Sequence, residues 1–247
     1  MTRKASYLRV EEYLMDLIKT KKLNEGDRIP TVSELCEMFS VSEMTVHKAL
    51  THLADNQVIE RIKGQGSFVK PFMVERQILK MQSFTEEVSK YGMKVSTKLI
   101  CYSVVNSDKH KSIQEKLKLK SGDLIHCFSR LRLVDGVPYA YSLNYVSVNA
   151  VSNIDIKCLE TSLYNYLQED LGYKLGYNET IISVIPAEIE EVYTNLNLKK
   201  SSLVVLSAHV SYFESNVPFE YTETFYIPER YKFSYNCYRD NKNGRES

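Results

Sequence analysis

A chain of 247 residues with 43% hydrophobic content has room for one large domain or two small ones, and enough apolar material for a sizeable core. Its 32 Lys/Arg against 31 Asp/Glu leave a formal charge of +1, and residues 1–70 hold eleven and ten, so bulk charge excludes no partner and argues for none; any case for nucleic acid must come from local geometry. The five cysteines form no CxxC pair, no apolar leader opens the chain, and no stretch approaches the ~18–20 apolar residues of a membrane span. A cytoplasmic protein with free thiols is expected, with no membrane partner.

The first predicted helix covers residues 6–20, where Tyr7, Val10, Leu14, Leu17 and Ile18 recur at helical spacing. Residues 23–27 break it. Thr31-Val32-Ser33-Glu34, just after Pro30, is a capping box that starts a second, short helix ending near Phe39-Ser40. Ser42 caps a third. Its Val46, Ala49, Leu50 and Leu53 form one stripe; Met44, Lys48 and Thr51 project from the other side, flanked by Thr45, His47 and His52. Two helices joined by a tight turn, the second with a small polar outer face, form a helix-turn-helix whose recognition helix brings its N-terminal residues to base edges. Two short strands follow, at 58–62 and 67–70. The tip between them, Lys63-Gly64-Gln65-Gly66, is a wing whose glycines allow close approach to DNA. The expected partner is operator double-stranded DNA. Its expected contacts are Thr31 and Ser33, then Ser42, Glu43, Met44, Thr45, His47 and Lys48, then Lys63, Gln65 and Gly66.

This run resembles the winged helix of the GntR family. The matching residues are Gly26-Asp27-Arg28-Ile29-Pro30, Glu34-Leu35, Phe39-Ser40-Val41-Ser42, Thr45-Val46, Lys48-Ala49-Leu50, Leu53-Ala54 and Lys63-Gly64-Gln65-Gly66-Ser67-Phe68-Val69. The family usually has arginine where Glu43 stands, often at His47, and commonly near Ser33. Glutamate accepts from cytosine N4 whereas arginine favours guanine, so Glu43 is expected to shift base preference.

A linker is expected over 71–81, followed by a second domain over 82–247. Its pattern predicts a helix at 83–91, a strand at 95–106 and a helix from Ser107/Asp108 to about 119. Strands at 123–134 and 137–148 meet across Asp135-Gly136, a strong hairpin signal. A helix at 162–171, a strand at 179–185, a helix at 187–196 and a hairpin of strands 203–214 and 217–227 complete it. There is a weak internal repeat. Leu117-Lys118-Leu119 matches Leu196-Asn197-Leu198, and the ten residues from Arg132 match the ten from Tyr212. Two copies of helix, strand, hairpin and strand predict a pseudo-symmetric antiparallel sheet with a ligand cleft between the copies.

Arg130 and Arg132 are two apart on a strand, so both point to one face and offer two donor forks to an anion; the alternative is a pair of surface ion pairs. Thr161-Ser162 opens a helix whose N–H groups and dipole favour phosphate or carboxylate; the alternative is a plain N-cap. Ser83-Phe84-Thr85-Glu86-Glu87, Arg130-Leu131-Arg132, Asp135-Gly136-Val137-Pro138, Ser162-Leu163-Tyr164, Pro218-Phe219-Glu220-Tyr221 and Arg230-Tyr231-Lys232-Phe233 resemble the UTRA effector-binding domain of the HutC subfamily. That resemblance implies an α+β chain: an N-terminal winged helix-turn-helix plus a C-terminal chorismate-lyase-like α/β domain with an antiparallel sheet. It places Phe84, Thr85, Tyr164, Glu220 and Tyr226 in the pocket beside Arg130, Arg132 and Ser162. Several relatives carry glutamate where Ser142 stands, and its loss removes an acidic partner for an amino sugar. The implied function is a homodimeric repressor of a sugar uptake or catabolism operon, released by a small anionic metabolite such as a sugar phosphate. The alternatives are a non-sugar effector such as an amino-acid derivative, or a DNA-binding dimer without effector. No GxSxG, HExxH or Walker loop is present and the histidines and cysteines lack metal-ligand spacing, so no enzyme activity, metal or cofactor is expected.

Overall fold

The computed structural model describes residues 5–56, 58–78, 83–89 and 93–237. The chain divides between Met73 and Val74 into two compact units.

The first unit contains α1 (Ser6–Lys19), α2 (Val32–Phe39), α3 (Glu43–Asp55), β1 (Ile59–Ile62) and β2 (Gly66–Val69). The capping box forms: Thr31 N–H donates to Glu34 Oε2 at 2.6 Å, and Glu34 N–H donates to Thr31 Oγ1 at 3.3 Å. Ser40 ends α2 in the left-handed region (φ 51°), which lets Ser42 cap α3 two residues later. Val10 and Leu14 of α1 meet Leu35, Val46, Ala49, Leu50 and Leu53 in one core, closed by Ile59 and Val69 of the antiparallel β1–β2 pair.

The second unit begins with β3 (Val74–Gln77) and α4 (Phe84–Ser89), then β4 (Val95–Asn106), α5 (Lys111–Lys116), β5 (Leu124–Val134), β6 (Val137–Ser147), α6 (Ile156–Leu159) and α7 (Leu163–Asn165). It ends with β7 (Leu175–Pro186), α8 (Glu190–Asn195), β8 (Leu203–Phe213), β9 (Pro218–Tyr226) and β10 (Tyr231–Ser234). Six strands form one antiparallel sheet in the order β4-β5-β6-β9-β8-β7. That order reads symmetrically about the β6–β9 pair, as two copies of strand, helix, strand, strand require. Both repeat helices close on a left-handed residue at matched positions, Lys118 (φ 52°) and Asn197 (φ 56°). The helices α5 and α8 cover one face: Ile113 and Leu117 pack on Ile125 and Tyr221, and Val192 and Leu196 on Leu131, Tyr141, Val204 and Phe225. On the other face Leu159, Leu163 and Leu167 bury Phe128, Val146, Phe213 and Phe219.

Several elements differ from the sequence reading. Residues 74–77 are not linker: β3 pairs in parallel with β10, Val74 opposite Tyr231. Residues 79–81 of the expected linker, and 90–91 of the expected first helix, lie outside the described residues. The helix expected from Ser107 is a 3₁₀ turn, Ser107–Lys109, followed by α5. The helix expected at 162–171 is three α-helical residues running into a π-helical stretch, Tyr166–Asp170. β7 starts earlier than the strand expected at 179–185, and α6 was not anticipated. No helix among the described residues is long and apolar enough to cross a membrane.

Candidate functional site

The exposed side of α3 carries Glu43, Met44, His47, Lys48 and Thr51. Met44, 80% exposed at the start of the helix, suits apolar contact with a thymine methyl. Ser42 and Thr45 are partly spent on the cap: Thr45 N–H donates to Ser42 Oγ at 3.3 Å, and the two hydroxyls are 3.0 Å apart. Thr31 is likewise committed to its capping box, while Ser33 stands exposed in the first turn of α2. Lys48 leans back on α1, its Nζ 4.3 Å from the Tyr7 ring centroid. The sequence reading missed Arg61. This β1 residue places Nη2 3.0 Å from His47 Nδ1 and donates from Nη1 to Thr51 Oγ1 at 3.3 Å. It restores a guanidinium to the helix face that Glu43 and His47 leave without one. In the sequence it looked like one polar residue of a short strand. On the wing, Lys63 and Gln65 are exposed, and Gly66 has φ 118° beneath the Arg28 guanidinium. A Cβ there would stand 2.8 Å from Arg28 Nε.

In the second unit, strand alternation lays Arg130 and Arg132 of β5, Ala140, Ser142 and Asn144 of β6, Glu220, Thr222, Thr224 and Tyr226 of β9, and His209 of β8 on one face. Register aligns them in rows: Arg130, Ser142 and Thr224 in one, Asn144, Thr222 and His209 in the next. Ser83 and Phe84, residues 162–164, and Arg76 of β3 wall this floor. The cavity encloses about 610 Å³ of empty volume, part of it open to solvent.

Arg130 is 5% exposed. Its Nε donates to Asn144 Oδ1 at 3.3 Å, and its Nη1 has no hydrogen-bond partner among the described residues. Arg132 donates from Nη1 to Thr97 Oγ1 at 2.6 Å and to Thr161 O at 3.4 Å, and lies over the Phe84 ring. Among the described residues neither guanidinium has a carboxylate at ion-pair distance. Burial pulls both below the usual arginine pKa, and the neighbouring Arg130 pulls Arg132 further. Two desolvated charges with no carboxylate at ion-pair distance among the described residues make a site for an anion.

The rest of the floor is a hydrogen-bonded net. Asn144 is its hub: Oδ1 accepts from Arg130 and from Ser142 Oγ (2.9 Å), while Nδ2 donates to Thr222 Oγ1 (2.8 Å) and Glu220 Oε1 (3.5 Å). Glu220, 2% exposed, also accepts from Tyr164 OH at 2.8 Å. Burial, then the Glu220 charge, raises the Tyr164 pKa well above its usual value, so the phenol stays a donor. His209 is pushed down to about 4 by burial and presents a neutral imidazole beside Thr222. Tyr226 OH accepts from Arg76 Nη1 at 3.2 Å.

The cavity thus gathers Phe84, Arg130, Arg132, Ser142, Ser162, Tyr164, Glu220 and Tyr226. Thr85 is not in its lining; Ser83 takes that place. Ser162 is an N-cap, donating to Asn165 Oδ1 at 3.1 Å and accepting from Asn165 N–H at 3.3 Å. Asn144, Thr222 and Thr224 were missed although they lie two-residue steps from Ser142 and Glu220, which was signal enough. His209 and Arg76 had no such neighbour.

Residues 6–69 match the bacterial regulatory proteins of the gntR family, and residues 90–232 match the UTRA domain. The chain is a GntR-family transcription regulator of the HutC type. It is 27% identical over 233 residues to the HTH-type transcriptional repressor NagR of Bacillus subtilis, covering 92% of each chain. Over 235 residues it is 26% identical to the mannosyl-D-glycerate transport/metabolism system repressor MngR of Escherichia coli, covering 95% of this chain and 96% of that one. Among solved structures, PhnF from Mycobacterium smegmatis shares the fold, with a TM-score of 0.76 at 21% identity over 93% of this chain and 99% of that one. This GntR-family protein is a DNA-binding regulator and not an enzyme.

Proposed function

We propose that this regulator represses a sugar uptake or catabolism operon and is released when a phosphorylated sugar enters the pocket of the second unit. One observation carries the reading: Arg130 and Arg132 sit side by side on the floor, desolvated, with no carboxylate at ion-pair distance among the described residues. An incoming phosphate gains two charge-assisted forks. The hydroxyl and amide groups of Ser142, Asn144, Thr222 and Thr224 suit sugar hydroxyls. The serine at position 142 leaves Glu220 the cavity's carboxylate opposite them, and Asn144, Ser211 and Tyr164 already donate to it, which disfavours an amine. MngR, the mannosyl-D-glycerate transport/metabolism repressor, and the probable fructoselysine utilization operon repressor of Escherichia coli bear names of sugar-system repressors, which supports the same class.

On DNA, the α3 face with Arg61 and the Lys63–Gly66 wing tip read one half-site. Two copies joined two-fold read a palindrome. The edge strand β7, which leaves Tyr177, Ile181 and Val184 exposed, supports a second copy as its occupant.

The test is a thermal-shift screen of phosphorylated and unphosphorylated sugars against the whole protein, followed by operator retention with each hit. A phosphorylated sugar should stabilise the protein and weaken retention, and Arg130→Ala with Arg132→Ala should abolish both effects. Hits confined to unphosphorylated compounds, or binding that survives the double substitution, would sink the reading.

A further inference from the structure

The pocket holds a third guanidinium that no local pattern in the chain announces. Arg76 lies on β3, three residues past the boundary between the units. The parallel β3–β10 ladder has only four register pairs, and a two-stranded sheet of that length is marginal by itself. Side chains reinforce it. Arg76 Nε lies 3.2 Å from Glu87 Oε1 of α4, and Nη1 donates to Tyr226 OH. Tyr231 of β10 donates to the other Glu87 oxygen and stacks on Tyr226, with ring centroids 4.1 Å apart. Glu87 is 1% exposed, so this cluster is buried and ties β3, β10 and α4 together. Among the described residues Nη2 of Arg76 makes no hydrogen bond or ion pair, and the side chain lines the cavity with Arg130 and Arg132.

We infer that Arg76 is a third anion-binding residue of the pocket, and that an anion held there stiffens β3, the strand through which the chain leaves the DNA-binding unit. This rests on the proposed anion pocket and adds a route out of it. A guanidinium has donors on two edges, so Nη2 can bind an anion while Nε keeps Glu87. Among the described residues three guanidiniums (Arg76, Arg130, Arg132) then face two carboxylates (Glu87, Glu220), an excess of positive charge that an anion offsets. A weak ladder gains most from one added contact, because it sits at the low end of local stability. The state with β3 ordered binds the anion better, and that difference is what an effector can spend on the operator.

The experiment pairs Arg76→Met with Glu87→Gln in the full chain, so that neither charge is left buried alone. The probes are inorganic phosphate and the hexose 6-phosphates of the screen. In the parent protein the anion should raise amide-exchange protection at residues 74–78. The double variant should bind the anion roughly tenfold more weakly, the loss of one charge-assisted contact. It should also lose the rise in protection and the anion's effect on operator retention. Should the double variant fold poorly, Arg76→Lys keeps the charge beside Glu87 but loses the fork, and should show the same loss of affinity. Parent-like binding and parent-like protection in either folded variant overturn the inference. If Arg130→Ala with Arg132→Ala abolishes binding while the Arg76 variants leave it intact, this inference alone falls. If binding survives the Arg130/Arg132 substitutions, the pocket reading falls with it.

Discussion

Arg130→Met should weaken ligand binding and make the ligand-free protein more stable. Arg130 is 5% exposed, has no carboxylate at ion-pair distance among the described residues, and leaves Nη1 without a hydrogen bond. Keeping a charge buried without an ion pair costs several kcal/mol, a cost that the nearby Glu220 charge offsets only in part. Against that stand one charged hydrogen bond to Asn144 at 3.3 Å, about 1.5–3 kcal/mol, and stacking over Phe128 at 5.1 Å, about 0.5–2 kcal/mol. Methionine keeps the stem and its packing, and Ser142 still donates to Asn144 Oδ1, so no acceptor is stranded. The balance favours the variant by about 1–2 kcal/mol, or roughly 2–4 °C per kcal/mol for a unit of this size. Phosphate affinity falls by about 2–3 kcal/mol, roughly 30- to 150-fold. Thermal and guanidinium unfolding of the full chain, with and without the phosphorylated ligand, measure both. A ligand-free variant less stable than the parent by more than ~1 kcal/mol would refute the reasoning, since Arg130 would then be a structural member of the floor rather than a waiting charge.

Arg61→Ala should weaken operator binding about tenfold and lower the salt slope by about one, with unchanged melting, as expected for an exposed cation on the DNA-reading face; an unchanged slope in anisotropy titrations would remove Arg61 from the interface. Gly66→Ala imposes φ 118° on an L side chain and drives its Cβ to 2.8 Å from Arg28, so the first unit should lose about 1–2 kcal/mol; a parent-like melting curve contradicts this. The Glu34 carboxyl is held below its usual value, first by the Thr31 backbone N–H and then by the Thr31 hydroxyl. A depressed folded pKa gives stability that is present above the unfolded value and lost as pH falls through the folded one. The first unit should therefore weaken on acidification, and Glu34→Gln should flatten that slope in melts between roughly pH 3 and pH 6. If the proposed dimer forms through the exposed edge of β7, Ile181→Lys should shift light-scattering mass from dimer toward monomer; an unchanged mass removes β7 from the interface.

What the sequence revealed followed the range of the forces involved. Caps, turns and periodicity are local, so α2 with its Thr31 box, α3 behind Ser42 and both hairpins lie within a residue or two of their expected limits. β4 coincides with its expected span. Repetition carried the next level, since matching copies implied a pseudo-symmetric antiparallel sheet. The β3–β10 pair had neither signal: four residues are too few for a period, and the partners come from opposite ends of the second unit. Arg76 was lost with it. Arg61 was missed for a related reason, because its importance lies in facing His47 across two elements, which neither strand nor helix pattern records. Thr85 was placed by resemblance alone, and the wall turned out to use its neighbours Ser83 and Phe84.

The duplication also explains why the pocket has two unlike ends. β6 and β9 pair about the axis between the copies, which relates Ser142 to Thr222 and Asn144 to Thr224. The middle of the floor is therefore nearly symmetric: small hydroxyls and an amide, suited to hydroxyls whichever way a ligand lies. Away from the axis the copies diverge. Glu220 stands where the first copy has Ala140, Tyr226 where it has Val146, and Arg132 where the second copy has Tyr212. Both floor guanidiniums belong to the first copy, and the floor carboxylate to the second. A symmetric floor would bring a second pair of arginines close to the first, and their mutual repulsion would favour two anions or a collapsed sheet centre. Divergence at these outer positions leaves one cationic end and a hydroxyl-lined middle. A ligand with one phosphate and a chain or ring of hydroxyls can bind such a floor in only one orientation.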